Sequence, residues 1–221
     1  MEFNKNFNEI LNSVEELFNK IELPTVKIYR GDSNWNKLYD YFEEQTCHFL
    51  NSGLTKFVLD LDNKNNFIIK IPFAGTCYRG IDKESYCVNH CERELEYYND
   101  FKNTEIGFLL VPTYFVGKVG ELEIYIQPKV VPYSHSEHSA SQHSYQIAAD
   151  MEYYSCTADD DDAIAAFVEN FNDEAEHILC KLDEFGIRDI HCGNFGYLNG
   201  KLLIFDYCGY HSQCTDYSYR S

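Results

Sequence analysis

Arg188–Asn194 reads RDIHCGN, and Phe205–Gly209 reads FDYCG. Between them lie FGYL, then Asn199-Gly200, then KLLI. Asn-Gly between two apolar runs is a strong signal for a tight hairpin. Such a hairpin returns Asp206 to the neighbourhood of Asn194. A carboxamide oxygen and a carboxylate held together are hard oxygen ligands suited to Mg²⁺. Asp189, five residues before Asn194, stands within a short reach, able to accept a proton or orient a hydroxyl. Metal ligands plus a carboxylate aimed at a nucleophile are what phosphoryl transfer requires. His191, in the same loop, reads as a structural, hydrogen-bonding histidine.

Working outward, the segment before this loop carries Ile164, Phe167, Val168, Phe171, Ile178, Leu179 and Leu182 at helical spacing. The four aspartates Asp159–Asp162 suit its N-terminus, where negative charge meets the positive end of the helix dipole. Gly186 ends it. Pro132–Ser144, PYSHSEHSASQHS, has no apolar period and reads as a linker. Its His135, His138 and His143 read as loop residues rather than metal ligands.

The N-terminal half starts with a stripe of Phe7, Ile10, Leu11, Val14, Leu17, Phe18 and Ile21, an amphipathic helix closed by Pro24. A second helix follows an Asp32/Ser33 cap and turns Trp35, Leu38, Tyr39 and Phe42 inward. The period then changes. FLNSGLTKFVLDL and NFIIKIPF flank the polar cluster DNKNN and predict a hairpin, with Gly53 in the loop before it. A helix is expected near Lys83–Phe101. Two strands are expected around GFLLVPTYFV and ELEIYIQPKVV, joined through GKVG. Cys87, His90 and Cys91 in CVNHC read as a packed helix face, since no second ligand pair at zinc-finger spacing follows.

The chain has 221 residues with 44% hydrophobic and 16% aromatic content, enough for a real core. A net charge of −18 repels nucleic-acid phosphate and argues against sequence-independent nucleic-acid binding. Nine cysteines, an odd number, point to reduced thiols. No apolar run is long enough to span a bilayer, and MEFNKNFNEI lacks the order of a signal peptide. A cytoplasmic protein with no membrane partner is expected.

IRDIHCGN with LLIFDYCG resembles the catalytic loop and metal-binding motif of the protein-kinase-like superfamily. The pattern H-R-D-x-x-x-x-N falls on Ile187 through Asn194, with Ile in place of the first His. The D-x-H-x-G-N form is similar to aminoglycoside-phosphotransferase-like kinases and to compact phage-encoded protein kinases. The resemblance implies that Asp189 is the catalytic carboxylate and that Asn194 and Asp206 bind the metal, although DYCG carries an extra residue before Gly209. In the N-terminal half, Gly53 matches the second glycine of the phosphate loop and Val58 the valine after it. Lys70 in IIK matches the strand lysine. The first and third loop glycines are replaced by Asn51 and Lys56, which restricts the close backbone approach that glycine permits. In CERELEYYNDF, Glu94 takes the place of the helix glutamate that pairs with the lysine, with Glu92 and Glu96 as alternatives. The segment near Gln127–Val130 is similar to the hinge that meets adenine.

The resemblance covers roughly residues 45–210 and implies an α+β, two-lobed kinase-like fold. Residues 1–44 would be a helical extension, 45–131 a small antiparallel-sheet N-lobe, 132–160 a linker, and 161–221 a truncated, mainly helical C-lobe. Only 12 residues follow Gly209, so the expectation is a minimal kinase without an activation segment, constitutively active. ATP and Mg²⁺ are the implied cofactors and a protein hydroxyl the acceptor; in the phage or effector setting the target is a host protein in the host cytoplasm. The alternatives are a small-molecule phosphotransferase and a pseudokinase that binds a partner. Oligomeric state is not legible.

Overall fold

The computed structural model describes residues 7–19, 21–24, 27–44, 49–52, 55–60, 66–76, 89–134, 140–151, 161–187 and 190–207. The fold is α+β. The chain divides into two compact units, Met1–Glu96 with Pro112–Lys129, and Tyr97–Val111 with Val130–Ser221. No helix among the described residues is long and apolar enough to cross a membrane.

In the first unit, α1 (Phe7–Phe18) buries Ile10, Val14 and Phe18, as the apolar stripe predicts. The short strand β1 (Tyr29–Arg30) precedes α2 (Ser33–Glu44). Asp32 caps α2: its carboxylate accepts from Trp35 N at 2.7 Å, a donor that the helix start leaves open, and from Tyr29 N of β1 at 2.9 Å. Strands β2 (Phe49–Ser52), β3 (Lys56–Leu59) and β4 (Phe67–Pro72) form an antiparallel meander, and β5 (Gly75–Thr76) pairs in parallel with β1. Then come α3 (His90–Phe101), whose residues from Tyr97 onward belong to the second unit, β6 (Tyr114–Val119) and β7 (Leu122–Pro128). The five-stranded sheet has the order β2-β3-β4-β7-β6. Alternation gives it two unlike faces. Phe57, Leu59, Phe67, Ile69, Ile71, Ile124 and Ile126 join Val14, Phe18, Leu38 and Phe42 of α1 and α2 in one apolar core. Residues 7–44 therefore supply about a third of that core, Ile10, Val14, Phe18, Ile28, Leu38 and Phe42. Phe57 is its hub, with ring centroids 4.7 Å from Phe73, 5.1 Å from Phe42 and 5.8 Å from Trp35.

The second unit holds β8 (Val131–Pro132), α4 (Gln142–Asp150), α5 (Asp161–Phe171), α6 (Ala175–Glu184), β9 (Phe195–Leu198) and β10 (Lys201–Ile204). Its sheet has the order β10-β9-β8. Its own core gathers Leu109, Ala163, Phe167, Leu179, Leu182, Ile190, Phe195 and Ile204.

Several boundaries differ from the expectation. The helix expected from Lys83 starts at His90, because Asn89 caps it: Asn89 Oδ1 accepts from Cys91 N and Glu92 N, each at 3.0 Å; residues 83–88 lie outside the described residues. GFLL is a 3₁₀ turn at Gly107–Leu109, not the start of a strand, and β6 begins only after Pro112, which removes a ladder donor. ELEIYIQPKVV breaks into β7 and β8, which belong to different sheets. The expected linker contains α4 from Gln142, started by Ser141, whose side chain accepts from Ser144 N. The single long helix is two, α5 and α6, because Asn172 takes a left-handed φ of 49° between them.

Candidate functional site

The face of the first unit's sheet opposite its apolar core carries buried polar side chains among apolar ones. Lys56 and Val58 on β3 alternate with core-facing Phe57 and Leu59. Lys70 on β4 sits between Ile69 and Ile71, and Gln127 follows Ile126 on β7. Register places Lys70 opposite Val58 on one side and Tyr125 on the other. Lys56 lies opposite Pro72, which makes it the diagonal neighbour of Lys70 on the same face.

Glu94 of α3 meets this face. Its Oε2 accepts from Lys70 Nζ at 2.8 Å and from Gln127 Nε2 at 3.1 Å, and its Oε1 accepts from Lys56 Nζ. Gln127 Nε2 also donates to Thr113 Oγ1 at 2.7 Å. Glu94, Gln127 and Thr113 have no exposed surface, Lys70 is 2% exposed and Lys56 3%. Ionised groups this buried persist when paired and hydrogen-bonded. Of the three glutamates weighed from sequence, Glu94 faces inward, whereas Glu92 and Glu96 are exposed, Glu96 pairing with Arg93 at 2.9 Å. Gln127, expected at an adenine-binding hinge, stands in register with Ile68 and spends its amide on Glu94 and Thr113. Val58 is half-buried beside Lys70, and Gly53 lies outside the described residues.

Lys56 and Thr113 are members of this network that the sequence reading missed. The signal for Lys56 was present: two residues before Val58, period-2 alternation puts it on the face of Lys70. A satellite cluster lies on the same strand face, where Asn89 Nδ2 and the Tyr125 hydroxyl both donate to Glu123 Oε2. Burial, then the charge of Glu123, raises the Tyr125 hydroxyl pKa above its ordinary value.

In the second unit, Gly186 closes α6 with φ of 76° and a bond from its N to Asp183 O at 2.9 Å. Ile187 and Ile190, each 1% exposed, pin both sides of the following loop. Asp189 itself lies outside the described residues. His191 has a structural part: its Nδ1 accepts from Gly193 N at 3.0 Å, and its carbonyl accepts from Asn194 N at 2.8 Å. Asn194, 7% exposed, immediately precedes β9. The β9–β10 hairpin turns on Asn199 and Gly200, with φ of 54° and 74°. Its ladder pairs Phe195 with Ile204, and one step further Phe205 N donates to Asn194 O at 2.9 Å. Asp206 is the next residue, so the hairpin brings Asn194 and Asp206 to the same end. Tyr207 anchors the strand beyond, donating its hydroxyl to Val111 O at 2.9 Å.

Among the described residues no three His, Cys, Asp or Glu side chains converge on a metal-holding geometry. Cys91 is fully buried and His143 is exposed in α4; Cys87, His135 and His138 lie outside the described residues. No family model matches the chain, and no curated protein and no solved structure matches it.

Proposed function

We propose that this chain is an ATP- and Mg²⁺-dependent phosphotransferase, a minimal protein kinase acting on a protein hydroxyl. The observation that carries the reading is the buried ion pair of Lys70 with Glu94, at 2.8 Å. The resemblance expects such a pair between a strand lysine and a helix glutamate, and Lys70 and Glu94 are the residues it points to, with Glu92 and Glu96 exposed. The α+β architecture, the antiparallel sheet that holds Lys70, and the Asn194–Asp206 hairpin are further support.

In this reading Glu94 orients the Lys70 ammonium toward the α- and β-phosphates. Asp189 accepts the proton of the acceptor hydroxyl as its oxygen bonds to the γ-phosphorus and the bond to the β-phosphate oxygen breaks, releasing ADP. The Asn194 carboxamide oxygen and the Asp206 carboxylate are hard donors that fit Mg²⁺. The metal, when bound, neutralises charge on the phosphates. The phage or effector setting, with a host protein as the target, belongs to this proposal.

MgATP is expected to raise the Tm in a thermal-shift assay, since a ligand that binds only the folded state stabilises it. Labelled ATP should then transfer phosphate to proteins of a lysate and not to purified aminoglycosides, and Asp189→Ala should abolish transfer while keeping the thermal shift. A thermal shift without transfer would mark a binding module. Transfer to aminoglycosides alone would make it a small-molecule enzyme, and no shift with MgATP would end the reading.

A further inference from the structure

Glu94 receives donors from three strands: Lys56 of β3 on one carboxylate oxygen, Lys70 of β4 and Gln127 of β7 on the other. From this we infer that Lys56 and Gln127 are positioning residues that clamp α3 to the sheet, so that Glu94 stands ready for Lys70 before nucleotide arrives. The inference deepens the phosphotransferase reading and rests on it for its functional meaning.

A carboxylate offers about four lone-pair sites on two oxygens. A single lysine would leave its plane free to rotate. Donors on both oxygens fix that plane and with it the side chain's reach from the helix. Two of the donors are cations, and charge-assisted bonds are the strong class, more so in a site of this burial. Gln127 is held from behind by Thr113 at 2.7 Å, so its amide is not a loose partner. For α3 to leave the sheet, all three bonds must break at once, with cationic donors remaining in a buried site. Lys56, where the resemblance expects a phosphate-loop glycine, has its ammonium on the helix glutamate instead. The position of Glu94 is therefore held by strands of its own unit and does not wait for a signal or a ligand.

Hydrogen exchange of the full chain without nucleotide tests the clamp independently of activity. Lys56→Met and Gln127→Met should each speed exchange across α3 by about tenfold or more, the scale of one lost charge-assisted bond, with the β6–β7 hairpin held within about threefold. Lys56→Arg, which retains a cationic donor, should stay within about threefold of the parent. Unchanged α3 exchange in both Met variants overturns the inference. So does Lys56→Arg exchanging as fast as Lys56→Met, which would mean the lysine acts by fit and not as a donor. Protection lost throughout the unit in both Met variants also overturns it, since the network would then hold the whole unit rather than the helix. In the parent, adding MgATP should leave α3 exchange within about threefold; a slowing of about tenfold would show that nucleotide assembles the clamp. Calorimetry with MgATP in the same buffer separates the two claims. An absence of binding there sinks the phosphotransferase reading and leaves the variant exchange rates to judge the clamp.

Discussion

Lys70 and Glu94 are 24 positions apart in the chain and 2.8 Å apart at their charged ends. Their pairing was expected only through the resemblance of their segments to the kinase strand lysine and helix glutamate; the local pattern alone does not couple them. Lys56 was read only as a glycine that had been lost, and its burial depends on a carboxylate supplied from a distant helix. Removing that carboxylate leaves donors without their shared acceptor in a closed site. Glu94→Ala should cost about 3–5 kcal/mol, the usual penalty for breaking a buried pair, read as a lower urea midpoint at constant m. A milder electrostatic effect is expected at Glu169 on α5. The Ser144 hydroxyl, then the Ser141 backbone N–H, hold its carboxyl below the ordinary carboxylate value. A folded pKa below the unfolded one means that this contribution is fully present above the unfolded value, about 4.3, and is lost as pH falls from there through the lower folded value. Wild type should therefore lose stability relative to Glu169→Gln between about pH 5 and pH 3, by a small amount because the group is at the surface. Parallel urea titrations across that range check the sign.

At the level of elements, the hairpin β9–β10 was readable from four letters on each side of Asn-Gly, because a two-residue turn with left-handed φ admits few other residues. The helices α1 and α2 were equally plain, since their apolar spacing and the Asp32 cap are local properties. The division of one expected helix into α5 and α6 was not, because Asn172 tolerates a helical conformation as well as the left-handed one it adopts. Strand β8 escaped for another reason: two residues carry no period, and its partner β9 lies more than 60 positions downstream. That pairing is tight. A Cβ on Gly196 would lie 2.2 Å from Val131 O and 2.9 Å from Pro132 Cα, both backbone atoms that cannot swing aside. Gly196→Ala should push β8 away from β9 and cost about 1–3 kcal/mol. Faster exchange of the Tyr133 amide, which bonds to Phe195 O at 3.1 Å, would report it directly.

Across the whole molecule, a net charge of −18 on 221 residues makes self-repulsion a standing cost of the folded state. Raising salt from about 10 to 150 mM shortens the Debye length from about 30 to 8 Å and should raise Tm by a few degrees; a Tm that falls or stays flat would mean that surface ion pairs outweigh the repulsion. The sequence by itself determined the α+β class of the fold, the N-terminal helices, the sheet hairpins and the return of Asp206 toward Asn194, because periodicity, caps and turn chemistry act over a few residues and leave local marks; Lys70 and Glu94 became candidates only through the resemblance of their segments to kinase motifs. Only the tertiary structure decided that Lys56 and Gln127 share the carboxylate of Glu94, that residues 7–44 belong to the core of the sheet, and that β8 leaves β7 for a second sheet. Those outcomes depend on which buried donor finds which buried acceptor, and that pairing is set by strand register and burial, which the local pattern of residues does not encode.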